Sequence, residues 1–224
     1  MNTDEVVEAL RRRADAARLP GMARVGIETS RALGVSVPEI RTIAKRAGTD
    51  QRLATELWAS EIHEARMVAA LVVDPATVTF RAMSAWAADL DSWDLTDMLA
   101  DTFARTPHAD RAIQTWSRSR HGFTKRCAFA MLARLAVDRP GHPDATYLGY
   151  LPLIRAQATD DRNEVKKAVN WALRQIGKRN RSLREAAIDE ADALLDLDDR
   201  TARWIARDAL RELRDPATVA RIPR

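Results

Sequence analysis

The segment DSWDLTD (Asp91–Asp97) sets an indole beside a carboxylate. Leu95, Met98, Leu99, Thr102 and Phe103 recur at the spacing of one buried helical stripe, which leaves Trp93 and Asp97 together on the opposite face at i, i+4. An indole wall lowers the local dielectric and can meet a cation face-on, while the carboxylate can stabilise developing positive charge or orient a water. Asp94 and Asp101 border the same face. The spacing fits equally a solvated acidic face carrying a partly packed Trp.

A second indole is held among cations. Between Glu164 and Lys178, the residues Val165, Ala168, Val169, Ala172, Leu173 and Ile176 form one apolar stripe. At about 100° per residue, Trp171 falls roughly 130° from the stripe's centre, with Lys167, Arg174 and Lys178. Such a face suits a partner that is both anionic and planar, such as nucleic acid, or a neighbouring helix in a stacked array. The final helix, DRTARWIARDALRELR, groups Trp204 with Arg200, Arg207 and Arg211 away from Ile205, Ala209 and Leu213; for Trp204, packing is the preferred reading. Lys125-Arg126 opens the nearly all-apolar FTKRCAFAMLARLAV, so this basic pair either contacts phosphate or partners inward-facing carboxylates such as Asp97.

Other chemistries lack their residues. His63-Glu64 begins like a zincin helix, but Met67 stands where the second ligand is needed, and His108, His121 and His142 stand singly. No phosphate-cradling Gly loop or nucleophile-elbow Ser occurs. A nucleotide- or metal-dependent enzyme is therefore not expected.

The elements that must position these residues are helical. Sparse Gly and Pro (8 and 9 in 224 residues) argue against a turn-rich β architecture, and 46% hydrophobic content supports a substantial core. Breaks at Pro20-Gly21, Gly34, Asp74-Pro75, Thr106-Pro107, 138–141, 180–182 and 196–199 divide the chain into about twelve helices. These group as pairs near 3–33, 37–73, 77–105, 108–137, 144–179 and 183–214, a period of roughly 37 residues in the HEAT and armadillo range. The expected fold is an all-α solenoid of about six HEAT-like pairs, one curved domain over 1–224 with a concave basic groove; a helical bundle is the rival. Asp91 or Ser92 can cap the helix starting at Trp93, and Asp199 or Thr201 the last one.

Net charge is +4, carried mostly by Arg, with Lys only at 45, 125, 166, 167 and 178. Arg forks suit phosphate, although a G+C-rich genome produces the same bias. The lone Cys127 excludes an internal disulfide and a thiolate cluster. No stretch reaches membrane-spanning length, and the N-terminus lacks the apolar region of a signal peptide, so a cytoplasmic protein is expected.

The blocks ALGVSVPEIRTIAK (Ala32–Lys45), ELWASEIHEARMVA (Glu56–Ala69), DSWDLTD, FTKRCAFA (Phe123–Ala130), DDRNEVKKAVNWALRQIGKRN (Asp160–Asn180) and TARWIARDALREL (Thr201–Leu213) resemble the HEAT-like DNA alkylation-repair proteins. The resemblance spans nearly the whole chain. It implies a concave groove for duplex DNA and, in active members, a monofunctional glycosylase removing N3- or N7-alkylated purines, acting as a monomer without metal or organic cofactor. By motif, Asp97 is the catalytic carboxylate, Trp93 and Trp171 are aromatic walls, and Arg126 is the basic groove residue, with Lys125 as competing match. Lys125, Lys166, Lys167, Arg174, Lys178, Arg179, Trp204 and Arg207 are the side chains expected at DNA. The resemblance also implies an aromatic near position 25, where this chain has Val25. Relatives that bind DNA structures without excising bases leave that alternative open, beside a protein-interaction scaffold.

Overall fold

The computed structural model describes residues 1–138 and 142–223, without the side chain at 138; the break expected over 139–141 lies outside the described residues. Among these residues there is no strand. The chain reads as one domain in sequence, and its packing divides into two compact units, Met1–Ala109 and Asp110–Arg224.

The first unit contains α1 (Thr3–Arg11), a 3-10 turn (Ala16–Arg18), α2 (Leu19–Arg24), α3 (Val37–Ala47), α4 (Gln51–Ala59), α5 (His63–Val72), α6 (Phe80–Ala88) and α7 (Trp93–Phe103). Polar residues start these helices as capping chemistry requires: Asn2, Asp50 and Thr79 each accept a backbone N–H of the first turn. Two helices were expected between 37 and 73, and three form. Gly48, at φ 75°, ends α3, and the chain turns again after α4 at Glu61, whose φ is 60°. α5 is the unit's centre, packing on α1, α3, α4 and α7. Its charged residues are consequently buried and satisfied inside: the Arg66 guanidinium lies 5.1 Å from the Trp58 ring, which stacks on Trp86 at 4.4 Å.

The second unit follows from α8 (Ala109–Trp116) through α9 (Gly122–Asp138), α10 (Asp144–Leu148), α11 (Leu151–Gln157), α12 (Asn163–Gly177), α13 (Arg181–Leu195), α14 (Arg200–Leu213) and α15 (Pro216–Val219). α9 is buried on every side from Cys127 to Ala133, as its unbroken apolar composition requires, and it packs along α12. The stripe Val165, Ala168, Val169, Ala172, Leu173 and Ile176 is wholly buried, so the periodicity fixed the rotation of α12. Asn180 caps α13 and Asp199 caps α14.

At the first-unit core, His63 Nε2–H donates to Asp94 Oδ2 at 3.0 Å, tying α5 to the first turn of α7. Burial opposes charge on His63, but the hydrogen bond and field of Asp94, reinforced by Glu64 and Asp91, outweigh it and raise the imidazole above its ordinary 6.5. Burial likewise works against the Asp94 carboxylate, and His63 reverses it, holding this group below its ordinary 3.8. The raised imidazole stabilises the fold fully below the unfolded value and loses that contribution as pH rises through the folded one. The depressed carboxylate stabilises above its unfolded value and loses this as pH falls. The Tm advantage of the wild type over His63→Gln is therefore greatest between about pH 4 and 6.5 and shrinks above pH 7; an advantage that stays level from pH 5 to 9 contradicts the charged pair.

Close packing also sets the end of α12. A Cβ at Gly177 would stand 2.8 Å from both Leu213 methyls and 3.0 Å from Ala187 Cβ. Helix propensity favours alanine by about 1 kcal/mol, whereas overpacking costs about 1–3 kcal/mol. Gly177→Ala should lower the urea midpoint by a net loss of about 1 kcal/mol with unchanged m-value; a raised midpoint would show that α13 and α14 yield freely.

Candidate functional site

On α7 the burial of Leu95, Met98, Leu99, Thr102 and Phe103 turns the remaining face outward. Trp93 is the helix's first residue and 38% exposed; Asp97, one turn on, is half-buried. Ser92 is the N-cap residue of this helix. The Trp93 indole N–H donates to the backbone carbonyl of Val25 at 3.1 Å, so the ring's orientation is set by the end of α2. Val25 itself, standing where an aromatic was expected, has an exposed side chain and contributes its carbonyl. Asp94 departs from the expected outward face and turns inward to His63.

In the second unit Trp171 is half-buried on α12. Its expected cationic neighbours divide. Lys167 is exposed, whereas Arg174 donates to Glu212 and lies 3.7 Å from Asp208, and Lys178 donates to Glu212 at 2.6 Å. Burial raises the Glu212 carboxyl, and the two cations overcome it and pull the group below its ordinary range. These contacts join α12 to α14. The i, i+4 spacing of Asp208 and Glu212 was the sequence signal for an acidic rail, overlooked because the arginines around Trp204 dominated that helix.

The basic pair on α9 is also engaged within its own unit. Lys125 is buried, with Nζ 2.8 Å from Asp160 and 2.6 Å from Gln157, so its partner is Asp160 and a phosphate contact is not what this ammonium makes. The Arg162 hydrogen bonds, assisted by Lys125 against the effect of burial, hold Asp160 down at about 2. Arg126 is buried too and donates to the Glu164 carbonyl at 2.9 Å. Arg179 donates to the Ala136 carbonyl and stands 4.0 Å over the Tyr147 ring, tying the end of α12 to α9.

Trp204 is exposed instead of packed between helices. Lys166 Nζ lies 5.6 Å from its ring centroid, and Trp204 shares a shallow depression with Arg200, Arg203, Arg207, Asp208 and Arg211, in which Arg211 pairs with Asp208 and Arg203 with Asp198. The second unit thus presents two surfaces: an α12/α14 seam where cations meet carboxylates, and a basic aromatic face on α14 open to solvent. Among the described residues no three His, Cys, Asp or Glu side chains converge to hold a metal ion, and no helix is long and apolar enough to cross a membrane.

The arrangement has relatives. A solved structure described as a new family of proteins related to the HEAT-like repeat DNA glycosylases, with affinity for branched DNA structures, superposes with a TM-score of 0.78 at 18% identity, over 94% of this chain and 95% of that one. An engineered protein matches at a TM-score of only 0.37 and 18% identity, over 94% of this chain and 87% of its own. No curated protein matches in sequence. The all-helical fold is therefore that of the HEAT-like proteins, and with residues 6–213 matching the family described as DNA alkylation repair enzyme, the chain belongs to that family.

Proposed function

We propose that the protein is a monofunctional DNA glycosylase that hydrolyses the N-glycosidic bond of N3- or N7-alkylated purines in duplex DNA, acting as a monomer. The observation that carries this reading is the Trp93–Asp97 pair on the open face of α7, with its indole held in one orientation by the Val25 carbonyl. Alkylation at N3 or N7 leaves the purine cationic, so the bond from C1′ to the base breaks with its electron pair passing to the base, which departs neutral. The sugar becomes oxocarbenium-like. Asp97 stabilises that positive charge and orients the water that adds at C1′, and the water's surplus proton passes to solvent. The products are a free alkylated base and an abasic site. Trp93 lies against sugar and cation.

From the second unit, Trp171 is assigned as a further contact to the damaged strand, with Lys166, Lys167, Trp204 and Arg207 on the phosphate backbone, whereas Arg126, buried and donating to the Glu164 carbonyl, is not assigned a DNA contact. Exposure supports Lys167, Trp204 and Arg207 in this role. A second reading, a binder of DNA structures without base excision, is supported by the structural neighbour described as having affinity for branched DNA structures.

Asp97→Asn should lower release of N3- and N7-methylpurines from methylated duplex by about 100-fold or more while leaving duplex affinity within about twofold. Binding by the wild type without any base release would establish the second reading. Lys167→Ala and Arg207→Ala should each weaken binding equally on unrelated sequences and reduce the slope of log K against log salt by about 0.9. Loss confined to one sequence, or an unchanged slope, would remove those residues from the backbone contact.

A further inference from the structure

Two adjacent buried residues at the start of α5, His63 and Glu64, bond to the two stretches of chain that meet at Trp93. Val25 follows the last residue of α2, and the turn after it is a Schellman motif. Gly26, at φ 82°, donates its N–H to the Ala23 carbonyl, and Ile27 N–H donates to the Met22 carbonyl at 3.1 Å. The Val25 carbonyl is left without a helical partner, and the indole N–H of Trp93 takes it. Further along the same segment, the fully buried Glu64 carboxylate accepts three successive backbone N–H groups, from Leu33 at 2.8 Å, Gly34 at 2.7 Å and Val35 at 3.2 Å. The backbone N–H of His63 donates to the Arg31 carbonyl at 3.0 Å, and Arg31 pairs with Glu61 at 2.8 Å. The side chain of His63 meanwhile grips Asp94, the neighbour of Trp93.

A closed circuit results, running from Trp93 to Val25, along the segment to residues 33–35, into Glu64, and back through His63 and Asp94 to Trp93. We infer that His63 and Glu64 are positioning residues for the proposed site: side by side at the start of α5, they clamp the segment 25–35 on one side and the first turn of α7 on the other, and so fix the indole of Trp93. This inference rests on the glycosylase reading only for its effect on base release; the clamp itself is a property of the first unit. Three backbone N–H groups converge on one carboxylate, and no neutral side chain reproduces that. A glutamine can accept from Gly34 and Val35 but must then aim an N–H group at the Leu33 N–H. Loss of the grip would let the segment drift, and with it the carbonyl that orients Trp93.

Two variants test this, Glu64→Gln in the core and Gly26→Pro at the exposed turn, where proline forbids the positive φ and removes the N–H bonded to Ala23. The readouts are acrylamide quenching of the Trp93 emission, taken as the difference between each protein and its Trp93→Phe counterpart, and the single-turnover rate of base release from methylated duplex. Quenching of Trp93 should rise about twofold in both variants, and the rate should fall about 10-fold, since small misplacements of a site group are expensive. In Trp93→Phe backgrounds neither change should lower the rate further. Raised quenching in both variants, together with a wild type that releases no base, supports the clamp and removes the glycosylase reading. Unchanged quenching in folded Glu64→Gln or Gly26→Pro overturns the inference, and so does a rate that falls equally with Trp93 already replaced.

Discussion

The rim helices α7, α12 and α14 must each hide an apolar stripe, and that demand decides which side chains remain for chemistry. On α7 the stripe from Leu95 to Phe103 is sealed, so rotation about the helix axis is not free and Trp93 and Asp97 emerge on one side. On α12 the same demand, met against α9, sends Lys167 outward and brings Arg174 and Lys178 to the seam with α14. Moving either helix by one residue would rotate it by about 100° and bury charge without a partner, at several kcal/mol per group. The open faces are thus consequences of the closed ones.

That logic also explains why so many cations are not available to an anionic partner. The protein carries 36 Lys and Arg against 32 Asp and Glu, and its helices pack with charged rims. Where helices meet, a cation finds a nearby carboxylate: Lys125 with Asp160 in the turn before α12, Arg155 with Glu190, Arg174 with Glu212. The pairs of Arg155 and Arg174 are partly exposed and contribute only about 0–1 kcal/mol each, whereas Lys125 and Asp160 are both largely buried, so losing either partner would strand a charge. What is left for phosphate is a smaller set of exposed cations, such as Lys167 on α12 and Arg207 beside Trp204 on α14.

Sequence periodicity made most of the helices and the rotation of α7, α12 and α14 legible, and composition narrowed each cap to two residues, of which Asp199 caps α14 and Ser92 holds the N-cap position of α7 without a side-chain capping bond, because each follows from a local rule acting within a few residues. The extra helix between 37 and 73 was hidden because Glu61 takes a positive φ without being a glycine, and the one between 144 and 179 because α10 passes to α11 through Gly149 and Tyr150 in right-handed helical backbone, with no sharp break. Trp93 and Asp97 could be placed on one face from spacing alone. The tie from Asp94 to His63, 31 residues earlier, could not, because no local pattern encodes a contact between helices. For the same reason Trp204 was read as packed: its exposure depends on what α12 places beside it, which is the single ammonium of Lys166.

The first unit's use of buried charge follows from a difference between kinds of force. Apolar packing holds surfaces together but is nearly indifferent to small rotations of an exposed ring, since the area lost is small and dispersion is nondirectional. A hydrogen bond is directional, and its strength falls steeply as its angle closes. An indole at the start of α7, left 38% exposed, therefore gains definition from a directed partner, and the partner must itself be fixed. The carbonyl of Val25 meets the first need. Glu64 meets the second, because a carboxylate enclosed among three N–H groups is satisfied only in one arrangement of the segment and costs about 1–3 kcal/mol for each partner it loses. Burying an acid in the core of the unit is unfavourable taken alone, yet it confers on an exposed tryptophan the definition that its own surroundings cannot provide.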